Sequence, residues 1–154
     1  MLDRGVIARN FVACELFQGL DPADLQSLFR HGKVIKLPAG GLLLQENQEN
    51  DHLYVLLHGT MEVFLPENDL RFDRVPVTNL GPGDCIGEYS FVDDRPTSAA
   101  VEAVEEAALF KIQRDEFLDL MEQNKGLGMV VYRNLLRMMI DRLRHSNEEM
   151  GFFL

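Results

Sequence analysis

Between Lys33 and Gln113 the chain is a series of short apolar runs, each stopped by glycine, proline or a polar turn. Val34-Ile35-Lys36-Leu37 ends at Pro38-Ala39-Gly40-Gly41, and Leu42-Leu43-Leu44 leads into the polar stretch from Glu46 to Asp51. Leu53 to Leu57 stops at Gly59, Met61 to Leu65 at Pro66-Glu67-Asn68, and Val75 to Leu80 at Gly81-Pro82-Gly83-Asp84. Val101 to Val104 and Ala107 to Ile112 close the region. Runs of this length, broken this often, are strands rather than helices. Many short strands at even spacing predict a barrel or jelly roll.

The flanks read differently. From Val6 to Gly32, Phe11, Leu16 and Phe17 form one apolar cluster. Asp21-Pro22 then reads as an N-cap followed by a first-turn proline. Leu25, Leu28 and Phe29 recur at helical spacing behind it, which predicts two short helices meeting at Gly19. After the barrel, Asp115 to Gln123 carries Phe117, Leu118, Leu120 and Met121 and predicts a two-turn helix. Asn124 to Gly128 reads as a break. Met129 to Asn147 contains no glycine or proline and reads as one long helix.

That last helix has two apolar stripes. Met129, Tyr132, Leu136, Met139 and Leu143 follow steps of three and four, a heptad seam. Val131, Leu135, Met138 and Ile140 extend the apolar surface to another side. A helix apolar on more than one face has more than one partner. One face can cover the barrel while the other meets a second copy of the chain. The expected architecture is therefore mainly β with flanking helices, in one domain. N-terminal helices (6–32) precede a double-stranded β-helix, or jelly-roll, barrel (33–113), and C-terminal helices follow (115–147).

Charge narrows the partners. A net charge of −10 argues against a nucleic-acid surface, which needs clustered Lys and Arg, and against an anionic membrane. No apolar run is long enough to span a bilayer, and the first residues lack the apolar core of a signal peptide. Cys14 and Cys85 lie far apart with no companion nearby, so they read as buried small hydrophobes in a reducing, cytoplasmic compartment. His31, His52, His58 and His145 show no metal-ligand spacing, and no catalytic constellation stands out. The chain is expected to be a non-enzymatic module without metal or cofactor.

The stretch from Gly83 to Val101 carries the chemistry. A strand ends at glycines, a short helical turn follows, and a strand of small residues begins. Backbone N–H groups at such a turn can hold an anion, and Gly87 would let a ligand approach the backbone. Ser90, Thr97 and Ser98 add hydroxyl donors. Glu88 repels an anion, but it suits a ligand that also carries hydroxyls for the carboxylate to accept.

Gly87-Glu88, with the loop to Pro96-Thr97-Ser98-Ala99-Ala100-Val101, resembles the phosphate-binding cassette of the cyclic nucleotide-binding domain family. Leu37-Pro38-Ala39-Gly40, Leu53-Tyr54-Val55 with Gly59, and Leu80-Gly81-Pro82-Gly83-Asp84 match that family's barrel glycines in order. The final helix resembles the one through which catabolite activator-type proteins dimerise. The resemblance implies that Glu88 accepts ribose hydroxyls and that Gly87, Tyr89 and Ser90 present backbone groups to sugar and phosphate. It also implies that Ser98 and Ala99 face the phosphate. One departure stands out: Thr97 replaces the arginine that pairs with the phosphate in the family pattern. Losing such a bond weakens binding roughly ten- to a hundredfold. Arg95, two residues earlier, is the candidate to reach back. Asn47 stands where the family usually turns on glycine, and asparagine tolerates the left-handed conformation.

The resemblance implies a regulatory sensor for cAMP, cGMP or a related small ligand, signalling through the C-terminal helix as a homodimer. The alternative is a degenerate interaction domain that binds a protein partner and no nucleotide. The chain ends at Gly151-Phe152-Phe153-Leu154 with no helix-turn-helix, so no DNA-binding domain is expected. The last three residues read as a frayed tail, with a lid over the barrel mouth as the other reading.

Overall fold

In the computed structural model, which describes residues 2–151, the apolar runs pair into two four-stranded antiparallel sheets. The strands are β1 (Lys33–Leu37), β2 (Leu42–Leu44), β3 (His52–His58), β4 (Met61–Leu65), β5 (Val75–Leu80), β6 (Cys85–Ile86), β7 (Ala100–Ala103) and β8 (Ala107–Gln113). One sheet runs β1-β8-β3-β6 and the other β2-β7-β4-β5, the jelly roll expected from the spacing. Only β6 was illegible in the sequence, because two residues are too few to show an alternation.

The core has two layers, and β3 divides them. Leu53, Val55 and Leu57 face a cluster shared with the helices, whereas Tyr54 and Leu56 face a cluster between the sheets. On β8, Phe110 and Ile112 join the first cluster, and Ala107 and Leu109 the second. A strand covered on both faces has no polar side, which is why Leu53 to Leu57 and Ala107 to Phe110 read as unbroken apolar runs.

The N-terminal helices cover the outer face of the first sheet. They are α1 (Arg4–Val12), a one-turn 3-10 helix (Glu15–Phe17) and α2 (Pro22–Arg30). The segment thus holds three short helical pieces where two were expected, and Gly19 joins the second and third. The Asp21 carboxylate accepts from Asp24 N at 2.8 Å, with Pro22 in the first turn behind it. Phe11 packs its ring on Phe17, Phe29 and Phe110, with centroids 4.9–5.1 Å apart, fixing both helices to β8.

Three further helices complete the chain: α3 (Glu88–Asp93), α4 (Arg114–Gln123) and α5 (Lys125–Glu149). The expected break at 124–128 is narrower than its composition suggests. Only Asn124 lies outside a helix, where its side chain accepts from Leu127 N at 3.1 Å and caps α5. Gly126 and Gly128 are helical. A Cβ on Gly128 would sit 3.1 Å from Met121 O and 3.2 Å from Met121 Cβ, so the glycine lets α5 begin tight against α4.

Burial sorts the two stripes of α5. Val131, Leu135 and Met138 pack into the core, and Met139 packs partly against it. Ile140 lies on the exposed side with Met129, Tyr132, Leu136 and Leu143. The exposed seam is therefore 129, 132, 136, 140 and 143, with Ile140 in the place expected for Met139. The Phe152-Phe153-Leu154 tail lies outside the described residues.

One buried polar side chain ties α5 to the N-terminal segment. Asn134 Nδ2 donates to Leu16 O at 3.0 Å and Gln18 O at 2.8 Å, 118 and 116 residues away in the chain. Asn134→Leu removes both donors and leaves the Leu16 carbonyl unpaired in the core and the part-buried Gln18 carbonyl without this partner. The variant should lose about 1–3 kcal/mol of stability in urea unfolding monitored by circular dichroism. A loss within error would show that α5 is held by apolar packing alone.

Candidate functional site

The cassette is built from its turn outward. At the end of β5, Asp84 Oδ2 accepts from Gly81 N at 2.9 Å and Asp84 N donates to Gly81 O at 3.0 Å. Gly83 N donates to Leu56 O at 2.7 Å, which delivers β6 to the edge of β3. Gly87 follows at φ 90°. A Cβ there would lie 2.6 Å from Asn50 Nδ2 and 2.7 Å from His52 O. The absence of a Cβ is thus required by the approach of the β3 start on that face. The six-residue α3 then runs to Asp94, a left-handed residue at φ 59°. Arg114 clamps that end through an ion pair with Asp94 and a 3.3 Å bond to Ser90 O.

A cavity of about 870 Å³ lies between the cassette, β5 and α5. That volume is ample for a small molecule. Gly87, Glu88, Tyr89, Ser90, Arg95, Thr97, Ser98 and Ala99 all line it. The structure thus brings the eight candidate residues to one wall, but it uses two of their hydroxyls elsewhere. Ser90 Oγ donates to Arg95 O at 3.0 Å. Thr97 Oγ1 donates to Gln45 O and accepts from Gln48 N at 3.0 Å. Backbone bonds Thr97 N to Gln48 O (2.9 Å) and Asn47 N to Thr97 O (2.8 Å) complete the seam. Thr97 is a staple between the cassette and the β2–β3 loop, and its only hydroxyl proton is spent there. Asn47 takes the left-handed conformation expected of it, at φ 60°. Ser98 is exposed. Arg95 is exposed, and its guanidinium makes no hydrogen bond or ion pair among the described residues. Its backbone N–H, not its side chain, is fixed, by Asp93 Oδ1 at 3.0 Å.

Glu88 is the buried charge of the site, 6% exposed at the first position of α3. Its partner was not picked out from sequence. Arg142, on α5, donates from Nη1 to Glu88 Oε1 at 2.6 Å and to the Tyr89 hydroxyl at 2.9 Å. Burial opposes the Arg142 charge, but the bonds to Glu88 and Tyr89 outweigh it and hold the guanidinium above its ordinary pKa. The signal was present in the buried stripe of α5. Val131, Leu135 and Met138 step by four and three, and a further step of four reaches Arg142. A cation continuing an apolar stripe calls for a buried acid opposite it. Met138 and Arg142 both line the cavity, so α5 forms part of its wall. Phe91 adds a second contact, stacking on Tyr132 of α5 and packing tilted against Phe117 of α4 with centroids 6.1 and 5.1 Å away.

The two cysteines, distant in sequence, meet at this wall, where Cys85 lines the cavity. Both are buried and unbridged. A hydrogen bond to Cys14, burial, and the nearby Glu88 charge together push the Cys85 thiol well above its ordinary pKa. Among the described residues no group of three or more His, Cys, Asp or Glu side chains could hold a metal ion. No described helix is long and apolar enough to cross a membrane.

Comparison with known proteins agrees with this geometry. Residues 34–124 match the family model of the cyclic nucleotide-binding domain. The chain is 24% identical over 136 residues to the CRP-like cAMP-activated global transcriptional regulator of Mycobacterium tuberculosis, covering 88% of this chain and 58% of that protein. It is 31% identical over 106 residues to a cAMP-dependent protein kinase regulatory subunit of Emericella nidulans, covering 69% of this chain and 24% of that protein. Among solved structures it resembles the Thermus thermophilus catabolite activator protein, with a TM-score of 0.78 and 26% identity over 89% of this chain and 62% of that one. The chain thus spans less than two thirds of the length of these relatives.

The raised Cys85 pKa has a chemical consequence. Only the thiolate alkylates quickly, and raising the pKa lowers its fraction at a given pH. In the native protein at mildly alkaline pH, Cys85 should react with iodoacetamide far more slowly than in the urea-unfolded chain, as read by mass spectrometry of the labelled peptide. Equal rates would show that the thiol is neither shielded nor shifted.

Proposed function

Because the chain belongs to the cyclic nucleotide-binding domain family, we propose that its cavity is a regulatory sensor site for a cyclic nucleotide or a related small ligand, read out by α5. The observation that carries this reading is the buried Glu88 carboxylate at the cavity wall. Its Oε1 is held by Arg142, and Oε2 is left to accept ligand hydroxyls such as those of a ribose. Ser98 and Ala99, on the strand side of the same wall, would face the phosphate. The relatives named for cAMP make it the first ligand to test, with cGMP beside it.

The readout follows from what touches the cassette. Glu88, Tyr89 and Phe91 all contact α5. A ligand that binds one arrangement of α3 against α5 more tightly than another shifts the balance between them. The exposed seam of Met129, Tyr132, Leu136, Ile140 and Leu143 would pair with a second copy of the chain, so that a shift of α5 reaches the partner. The protein on this reading is a binding module, not an enzyme. Its reduced cysteines and acidic surface fit a cytoplasmic setting, away from nucleic acid and membrane.

A second reading has its own observation. Thr97 stands where the family carries a phosphate-binding arginine, and its hydroxyl is turned onto the β2–β3 loop. A domain that has given up this contact could serve as an interaction module for a protein partner, with no nucleotide in the cavity.

Calorimetric titration with cAMP and cGMP separates the two. The sensor reading expects saturable binding that falls at least tenfold in Glu88→Ala, since the charged acceptor is lost. No heat up to millimolar ligand would turn the search to a protein partner. The dimer is checked independently by analytical ultracentrifugation. The parent should sediment as a dimer at micromolar concentrations and Leu136→Glu, at the centre of the seam, as a monomer. A monomeric parent would remove the seam from the readout.

A further inference from the structure

A phosphate in this cavity needs a cation, and the lining offers few. Glu15, Asp84, Glu88 and Asp93 contribute negative charge to it, against Arg95 and Arg142 alone. An anion brought among these acids is repelled unless a guanidinium meets it. The two arginines are not equivalent. Arg95 is exposed and its guanidinium is unpaired among the described residues, so ordering it on a ligand costs its rotamer freedom. Arg142 is already fixed by Glu88 Oε1 and the Tyr89 hydroxyl, and its Cζ lies 5.5 Å from the Tyr89 ring centroid.

Both of those hydrogen bonds leave from Nη1. A guanidinium carries five N–H donors in a rigid fork, so Nη2 and Nε keep three of them for another acceptor. A planar fork suits two phosphate oxygens at once. The side chain is about half exposed and lines the cavity, and among the described residues Nη2 and Nε make no hydrogen bond, so these donors are open to an acceptor brought into the cavity.

The geometry points to Arg142 as the anion-binding residue of the cavity, a cation supplied from α5 in place of the arginine that Thr97 replaces. This rests on the sensor reading above and deepens it. A cassette arginine would hold the phosphate within the barrel. Arg142 instead carries the ligand's charge directly to the helix with the exposed seam, so that one side chain both binds the ligand and moves with the readout. Glu88 then has two tasks: it accepts hydroxyls, and it orients the guanidinium that meets the phosphate.

The test titrates the parent protein, Arg142→Gln and the double variant Arg142→Gln/Thr97→Arg with cAMP. Competition by adenosine, which has the ribose and base but no charge, is measured beside it. Arg142→Gln should weaken cAMP about tenfold or more and leave adenosine within a small factor. The double variant, with a guanidinium returned to the cassette, should regain cAMP affinity. Unchanged cAMP binding in Arg142→Gln overturns the assignment and leaves the sensor reading standing. So does an equal loss of cAMP and adenosine, or a loss that Thr97→Arg fails to restore, since either means that Arg142 only shapes the cavity. A parent that is silent while the double variant binds shows a competent cavity in which Arg142 supplies no charge, and overturns the assignment alone. Silence in all three overturns the assignment and the nucleotide reading together.

Discussion

A single strand with no polar face governs the architecture. β3 sends Leu53, Val55 and Leu57 to one side and Tyr54 and Leu56 to the other, all of them buried. Covering one side takes the second sheet, and covering the other takes helices from both ends of the chain. That is why Phe11, Phe17 and Phe29 from the start of the chain and Phe117, Val131 and Leu135 from its end meet in one cluster with Phe110. β6 pairs with the edge of β3, so the cassette that follows it is anchored to a strand buried on both faces.

Against this apolar frame the site holds one costly group. A carboxylate as buried as Glu88 is tolerated only with a partner. The partner comes from α5, 54 residues later in the chain. The pair is asymmetric, since the Glu88 side chain is 8% exposed and that of Arg142 46%. Water screening at the arginine end weakens the attraction relative to a fully buried pair, which leaves the contact breakable. A breakable contact between a ligand wall and a terminal helix is what a switch requires. Phe91, between Phe117 and Tyr132, gives the same connection an apolar counterpart.

The Thr97 position shows how a substitution can change the work of a loop. The family pattern carries an arginine at this place. Threonine, with one short hydroxyl, instead closes a hydrogen-bonded seam with Gln45, Asn47 and Gln48. The β2–β3 loop is thereby fastened to the rim of the cassette. The wall gains rigidity on the strand side, and the cationic side of the cavity passes to the helices.

Sequence by itself determined the jelly roll, the helical flanks and the location of the cassette. Each of these depends on local periodicity and turn chemistry: apolar runs of strand length, Gly-Pro punctuation, and the capping pair Asp21-Pro22. The eight candidate residues it brought out line one cavity, because they are neighbours in the chain. Tertiary structure alone decided what those residues do. The hydroxyls of Ser90 and Thr97 bind backbone oxygens whose positions no local pattern reveals. Gly87 is explained by Asn50 and His52, which cross its face from β3 and its approach. The meeting of Cys14 with Cys85, the swap of Ile140 for Met139 on the exposed seam, and the pairing of Arg142 with Glu88 all depend on how α5 and the N-terminal segment dock. Local rules act over a few residues, whereas the charge of a buried acid is met by whichever cation the completed fold carries to it.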